Sequence, residues 1–285
     1  MKYKLIFSAV LVAILTPVFA QHNNDRSRGS LFIIGGGKRT SELMHTMVNT
    51  AKLAIHDYVV VLPMSSEEPD SSFFYFKKDL EKVCNNSIIM FNFTKETVNN
   101  ISRIDFLKKA KLIFITGGDQ NRFMNIVLHT PIYNAIHFAY SHGSTVAGTS
   151  AGAAVMSKEM ITGNELNADN TGGAPFTSIQ NENVEIKEGL GLVTNAIIDQ
   201  HFIVRSRYNR LLSVLAAYRN MQCIGIDEAT AIIVRGKNIT VTGASQIIKM
   251  QIRSPEKIII EPYKKVRLKN INVDILTAGD TFLLK

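Results

Sequence analysis

Five short strand-like runs, at residues 31–34, 59–62, 88–91, 112–115 and 145–147, constrain what this chain can fold into more than any other feature. The first four are continuously apolar, with no polar residue at alternate positions. A strand with one wet face alternates, so runs of this kind belong to a sheet covered on both faces. Longer segments with helical spacing lie between them. Leu43, Met47, Ala51 and Ile55 recur every four residues, and 71–83 and 122–141 also read as helices. Strand and helix in alternation predict a mostly parallel sheet with helices on both faces. Gly35-Gly36-Gly37, Pro63 and Gly117-Gly118 stop three of the strands at their carboxyl ends. Sites form beyond those ends in sheets of this class. The tail reads differently: runs at 232–234, 239–241, 247–252 and 257–260, joined by short turns, predict an antiparallel meander at one sheet edge. The expectation is an α/β fold with a C-terminal antiparallel β extension, forming a single domain over residues 30–285.

Residues 1–20 stand apart from that domain. Lys2 and Lys4 precede an apolar stretch from Leu5 to Leu15, Pro17 breaks it, and Val18-Phe19-Ala20 places small residues before a cut. This is the pattern of a cleavable secretory signal, and its apolar core is short for a span of roughly 20 residues. Export is expected, to a periplasm or beyond the cell, with no membrane association after cleavage and a polar lead-in at 21–29. The formal charge of +8 is spread along the chain rather than gathered into a basic run with interleaved aromatics, which argues against nucleic acid. A basic surface attracts acidic substrates instead. The two cysteines, Cys84 and Cys223, are too few for a disulfide framework, and no Cys/His spacing suggests a metal. No cofactor is expected.

Three clusters carry chemistry. Gly148-Thr149-Ser150-Ala151-Gly152 is a G-x-S-x-G pattern between a strand and a helical segment. There a serine sits on a tight turn, with the helix start directed at any developing oxyanion. Asp199-Gln200-His201 with Arg205, Arg207 and Arg210 supplies a base for that serine and a group of cations. If residues 199–201 are extended, Asp199 and His201 project to one face. Asp227-Glu228 offers two acids, either of which would orient the imidazole of His201. Thr116-Gly117-Gly118-Asp119-Gln120 adds paired glycines, so that Gly118 and Ala151 would present amides as an oxyanion hole. Gly35-Gly36-Gly37-Lys38 is neither a dinucleotide nor a phosphate loop and reads as a plain strand-to-helix turn.

Taken in order from about residue 30 to 245, these segments resemble the cyanophycinase family of serine peptidases. The discriminating block is Asp199-Gln200-His201-Phe202 with its trailing arginines, and Ile226-Asp227-Glu228-Ala229-Thr230-Ala231 supports it. The resemblance implies a flavodoxin-like three-layer fold and a triad of Ser150, His201 and Glu228. It also implies a substrate pocket of Gln120, Asp199, Gln200, Arg205, Arg207 and Arg210, in which Asp199 would meet a substrate guanidinium. Its implied substrate is cyanophycin, a polyaspartate backbone bearing arginine on each side-chain carboxyl, cut to β-Asp-Arg dipeptides. It further implies a homodimer. Ile203, Ser206, Tyr208 and Asn209 depart from the pattern between the arginines, so short aspartyl or isoaspartyl peptides remain an alternative substrate, and a non-catalytic exported binding protein an alternative role. A glutamine amidotransferase is disfavoured, because that chemistry takes a cysteine where Ser150 stands.

Overall fold

The computed structural model describes residues 29–167, 176–253, 259–260 and 264–285. The signal, nearly all of the lead-in and residues 257–258 of the tail lie outside the described residues. In chain order the strands are β1 (Ser30–Ile34), β2 (Tyr58–Leu62), β3 (Ser87–Met90), β4 (Leu112–Ile115), β5 (Thr145–Thr149), β6 (Glu159–Glu165), β7 (Val184–Glu188), β8 (Ala196–Gln200), β9 (Gln222–Ile226), β10 (Thr230–Arg235), β11 (Asn238–Gly243), β12 (Ile247–Ile252), β13 (Ile259–Ile260), β14 (Val266–Arg267), β15 (Ile271–Leu276) and β16 (Thr281–Leu283). The helices are α1 (Ser41–Ala51), α2 (Pro69–Leu80), α3 (Ile101–Lys109), α4 (Gln120–Val127), α5 (Pro131–Ser141), α6 (Ala151–Ala154) and α7 (Tyr208–Ala217).

The main sheet has eight strands in the order β16-β11-β10-β1-β5-β4-β2-β3. From β1 to β3 the pairing is parallel, and from β10 outward it is antiparallel. The continuous apolar runs have the cause expected of them. Leu31 and Ile33 face one buried layer, shared with α3, α4 and α5, while Phe32 and Ile34 face another, shared with α1 and α2. Both sets are fully buried.

The tail is not one meander. Strands β10 and β11 extend the main sheet, but β12 leaves it for a second sheet of order β15-β12-β9-β8. The parallel pair β8–β9 packs through Ile198, Ile224 and Ile226 into the same layer as α5, and α7 covers its far side with Leu211, Val214 and Leu215. The segment 122–141 is two helices rather than one. His129 takes a left-handed conformation and Pro131 begins α5, where its missing N–H is no loss. Among the described residues both cysteines are free, and no helix is long and apolar enough to cross a membrane.

Candidate active site

The carboxyl end of β1 gathers the site. The carbonyl of Ile34 accepts from the amide of Ser150 (3.1 Å), that of Gly35 from His201 (2.8 Å), and that of Gly36 from Ala229 (2.9 Å). Three loops far apart in sequence are thereby held to one short segment. Ser150 follows β5 and has φ 54° and ψ −111°, a strained conformation imposed by the tight turn into α6. The flanking glycines are spatial necessities. A Cβ on Gly148 would meet the carbonyl oxygen of Gly152 at 2.2 Å, and one on Gly152 would meet that of Ile115 at 2.3 Å.

His201 is not a continuation of β8. It turns left-handed (φ 50°), so its ring and the side chain of Asp199 go to different places. Its Nε2 lies 2.7 Å from Ser150 Oγ, and its Nδ1 lies 2.5 Å from Glu228 Oε1. An ionised carboxylate can only accept, so Nδ1 carries the proton and Nε2 is free to accept from the serine. Glu228, not Asp227, therefore faces the imidazole. Asp227 instead accepts from the amides of Ile203 and Val204 and from the Ser245 hydroxyl. Burial alone would raise its pKa, but those donors outweigh it and hold the carboxyl below its ordinary range.

Burial pushes the His201 pKa below its ordinary value of 6.5, Arg205 and Arg207 push the same way, and the Glu228 hydrogen bond and charge oppose them. The ring is thus neutral, and able to take a proton, at pH values where an exposed histidine would already be charged. The acid limb of kcat/KM is expected to lie below pH 6.5, and Arg205→Gln should move it upward. The same shift affects folding. As pH falls below 6.5 the unfolded chain takes up the proton first, so this group's contribution to stability is lost from there down through its folded value.

Two clefts meet at Ser150. One, of about 390 Å³, is lined by Gly118, Gln120, Gln200, Arg205, Arg207 and Arg210 together with Ser150. Gln120 donates to the carbonyls of Ile161 and Thr162 at 3.0 and 2.6 Å, tying α4 to β6. Gln200 Oε1 accepts from both Arg207 and Arg210. Burial, with Arg210 alongside, lowers the Arg207 guanidinium to about 10, and it stays cationic at neutral pH. Asp199 does not line this cleft. Its carboxylate is fully buried and gripped through both oxygens by Arg210, so no substrate guanidinium meets it. Among the described residues Arg205 has no ion-pair partner. Arg207 and Arg210 share one internal carboxylate and Arg205 adds a third cation, so the cleft carries a surplus of positive charge.

The two oxyanion-hole candidates, Gly118 and Ala151, lie beside Ser150. Gly118 (φ +135°) lines the cleft, and Ala151 opens α6, where its amide has no intrahelical acceptor. Ser65 holds the first of these turns by donating to the carbonyls of Thr116 (2.7 Å) and Gly117 (3.0 Å). Nothing in the local sequence marks Ser65. The Gly35-Gly36-Gly37 turn is likewise more than a connection. A Cβ on Gly36 (φ +126°) would lie 2.3 Å from the His201 ring, and one on Gly37 would lie 2.6 Å from Glu228 Oε2. Gly36→Ala is expected to displace the imidazole and lower kcat on the order of 100-fold. Gly236→Ala, also at positive φ but with nothing within 4 Å, should leave kcat unchanged and so separates backbone strain from the collision.

The model of peptidase family S51 matches residues 31–242. A cyanophycinase from Nostoc sp. (strain PCC 7120) is 30% identical over 270 residues, covering 90% of this chain and 86% of that one. A cyanophycinase from Thermosynechococcus vestitus is 27% identical over 276 residues, covering 93% and 82%. Among solved structures, a peptidase from an acI-B1 Actinobacterium superposes with a TM-score of 0.65 at 20% identity, over 90% of this chain and 98% of its own.

Proposed function

The chain belongs to peptidase family S51 and is a serine-type peptidase, and from that premise we propose that it is exported and cuts cyanophycin to β-Asp-Arg dipeptides through Ser150, His201 and Glu228. The observation that carries this reading is the surplus of arginine beside a serine already bonded to a neutral imidazole. In cyanophycin each arginine is joined through its amine and keeps its own carboxylate free. Arg205, Arg207 and Arg210 would bind that carboxylate, with paired hydrogen bonds where the geometry allows. Asp199 acts by holding Arg210 in place.

Ser150 Oγ attacks the backbone carbonyl of an aspartyl unit while His201 Nε2 takes the hydroxyl proton. The amides of Gly118 and Ala151 hold the oxyanion. The C–N bond then breaks as His201 returns the proton to the leaving amine. Water, deprotonated by His201, attacks the acyl ester, and its collapse regenerates Ser150. Glu228 keeps the Nδ1–H tautomer and stabilises the imidazolium formed in each step.

The test incubates the purified chain from Gln21 with insoluble cyanophycin and follows soluble products by mass spectrometry, with a fluorophosphonate probe to identify the labelled residue. β-Asp-Arg release with the label on Ser150 is the expected result. A label elsewhere sinks the triad, and no release with Ser150 labelled sinks cyanophycin in favour of short aspartyl peptides. Export rests on the signal pattern of residues 1–20, and a mature N-terminus at Gln21 in the secreted protein would bear it out. Association as a homodimer rests on the family resemblance, and light scattering would measure it.

A further inference from the structure

The arginine-rich cleft has an apolar wall with no role in the chemistry so far. Phe176 lines it together with Arg205, Ser206, Arg207 and Arg210. The centre of its ring lies 5.6 Å from the Arg210 guanidinium, and the residue is half-buried against the layer that holds Leu211 and Val214. Its backbone is in the left-handed region, φ 59°, which a bulky side chain rarely adopts. Two side chains hold it there. Glu165, at the end of β6, accepts from the Phe176 amide at 2.8 Å, and Asn209, in the first turn of α7, donates to the Phe176 carbonyl at 3.0 Å. Glu165 is itself fixed by the Asn183 side-chain amide at 2.7 Å. Strained conformations persist where their surroundings over-determine them, and they gather at ligand clamps. Asn209 is one of the departures between the arginines, and in the fold it secures this wall.

The cleft meets the two ends of a β-linked arginine differently. The free carboxylate finds the cations of Arg205, Arg207 and Arg210. The guanidinium brings a like charge to the same three, and Asp199 is already held by Arg210. Among the described residues no acid lines the cleft. The ring of Phe176 is what remains for the side chain, and an aromatic wall covers the methylenes of an arginine stem whatever charge follows them. We infer that Phe176 is a specificity-determining residue. It reads the side chain of the β-linked amino acid through its apolar stem and gains nothing from its charge, and Asn209 is the residue that positions it. The inference rests on the peptidase reading above, in which the acyl unit fills this cleft.

The test uses aspartyl peptides whose acyl unit carries arginine, citrulline or alanine at its side-chain amide, each with its carboxylate free. Citrulline has the stem of arginine without the charge, and alanine lacks the stem. Wild-type kcat/KM for citrulline should equal or exceed that for arginine. That for arginine should exceed alanine by about tenfold, the scale of covering roughly two methylenes. Phe176→Ala should bring the arginine-to-alanine ratio to near one, Phe176→Leu should keep most of it, and Asn209→Ala should lower it part of the way. Arginine favoured over citrulline, or an arginine-to-alanine ratio that persists in Phe176→Ala, would overturn the assignment. If wild type cleaves none of the three, the substrate reading has failed separately. Binding of the free β-aspartyl dipeptides of arginine, citrulline and alanine is then measured by calorimetry on wild type and Phe176→Ala. Affinity for the first two that falls to the level of alanine in Phe176→Ala supports the assignment. Affinities unchanged in that variant, or no binding at all, refute it.

Discussion

Replacing Ser150 with alanine is expected to lower peptide hydrolysis by about 10⁴-fold or more, the scale at which removal of a triad nucleophile leaves only binding and oxyanion stabilisation. His201 Nε2 has its serine partner at 2.7 Å, and removal of that hydroxyl leaves the imidazole nothing to activate except water. His201→Ala should cost a similar factor, and the double variant should be little worse than either single one, because the two residues act as a unit. Independent effects that multiply would refute the triad. The fold should persist, since Ser150 contributes its amide to Ile34 and alanine keeps that bond. Ser150→Gly should melt at a higher temperature than Ser150→Ala. Both variants are inactive, but only glycine relieves the cost of holding φ 54° and ψ −111°. Initial rates and thermal melts on the four variants measure all of this.

What the sequence made legible was whatever depends on local pattern. Unbroken apolar runs require two buried faces, and β1 supplies Leu31 and Ile33 to one layer and Phe32 and Ile34 to the other. The serine turn could be read because its glycines are excluded by contacts within its own strand–turn–helix unit and the neighbouring β4. What stayed hidden depends on approach in space. Gly36 and Gly37 look like an ordinary turn because the groups that forbid a side chain, His201 and Glu228, arrive from the other end of the chain. Adjacent acids at 227 and 228 cannot be told apart by type. They separate only because Asp227 accepts from the backbone of the loop after His201 while Glu228 turns to the ring. The departure of β12 to a second sheet has the same origin. Nothing in Ile247–Ile252 says that its partner is β9 rather than β11. The break between α4 and α5 is different, because Pro131 was a readable signal inside the apparent helix.

Asp199 marks the deepest gap between pattern and structure, and its removal should have the largest effect on stability. A carboxylate among arginines in a candidate pocket invites assignment to a substrate cation, yet its side chain is 0% exposed and Arg210's only 5%. Asp199→Ala would leave Arg210 buried without its counter-charge and Arg207 beside it, each repelling the other. Breaking one partner out of a buried pair costs about 3–5 kcal/mol, because the surviving charge has neither water nor an ion to compensate it. For a domain of this size that corresponds to a fall in Tm of roughly 10 °C. Asp199→Asn keeps the shape and one acceptor oxygen, so it should lose less. The double variant Asp199→Ala with Arg210→Met should recover part of the loss by removing the orphaned cation as well. Activity divides the roles further. With Arg210 no longer held, Asp199→Asn should raise KM for an anionic substrate far more than it lowers kcat, since the serine, imidazole and Glu228 are untouched. A variant that keeps its melting temperature and KM would show that Arg210 is held by other means. A fall in kcat at constant KM would place Asp199 in the chemistry rather than behind the residue that binds.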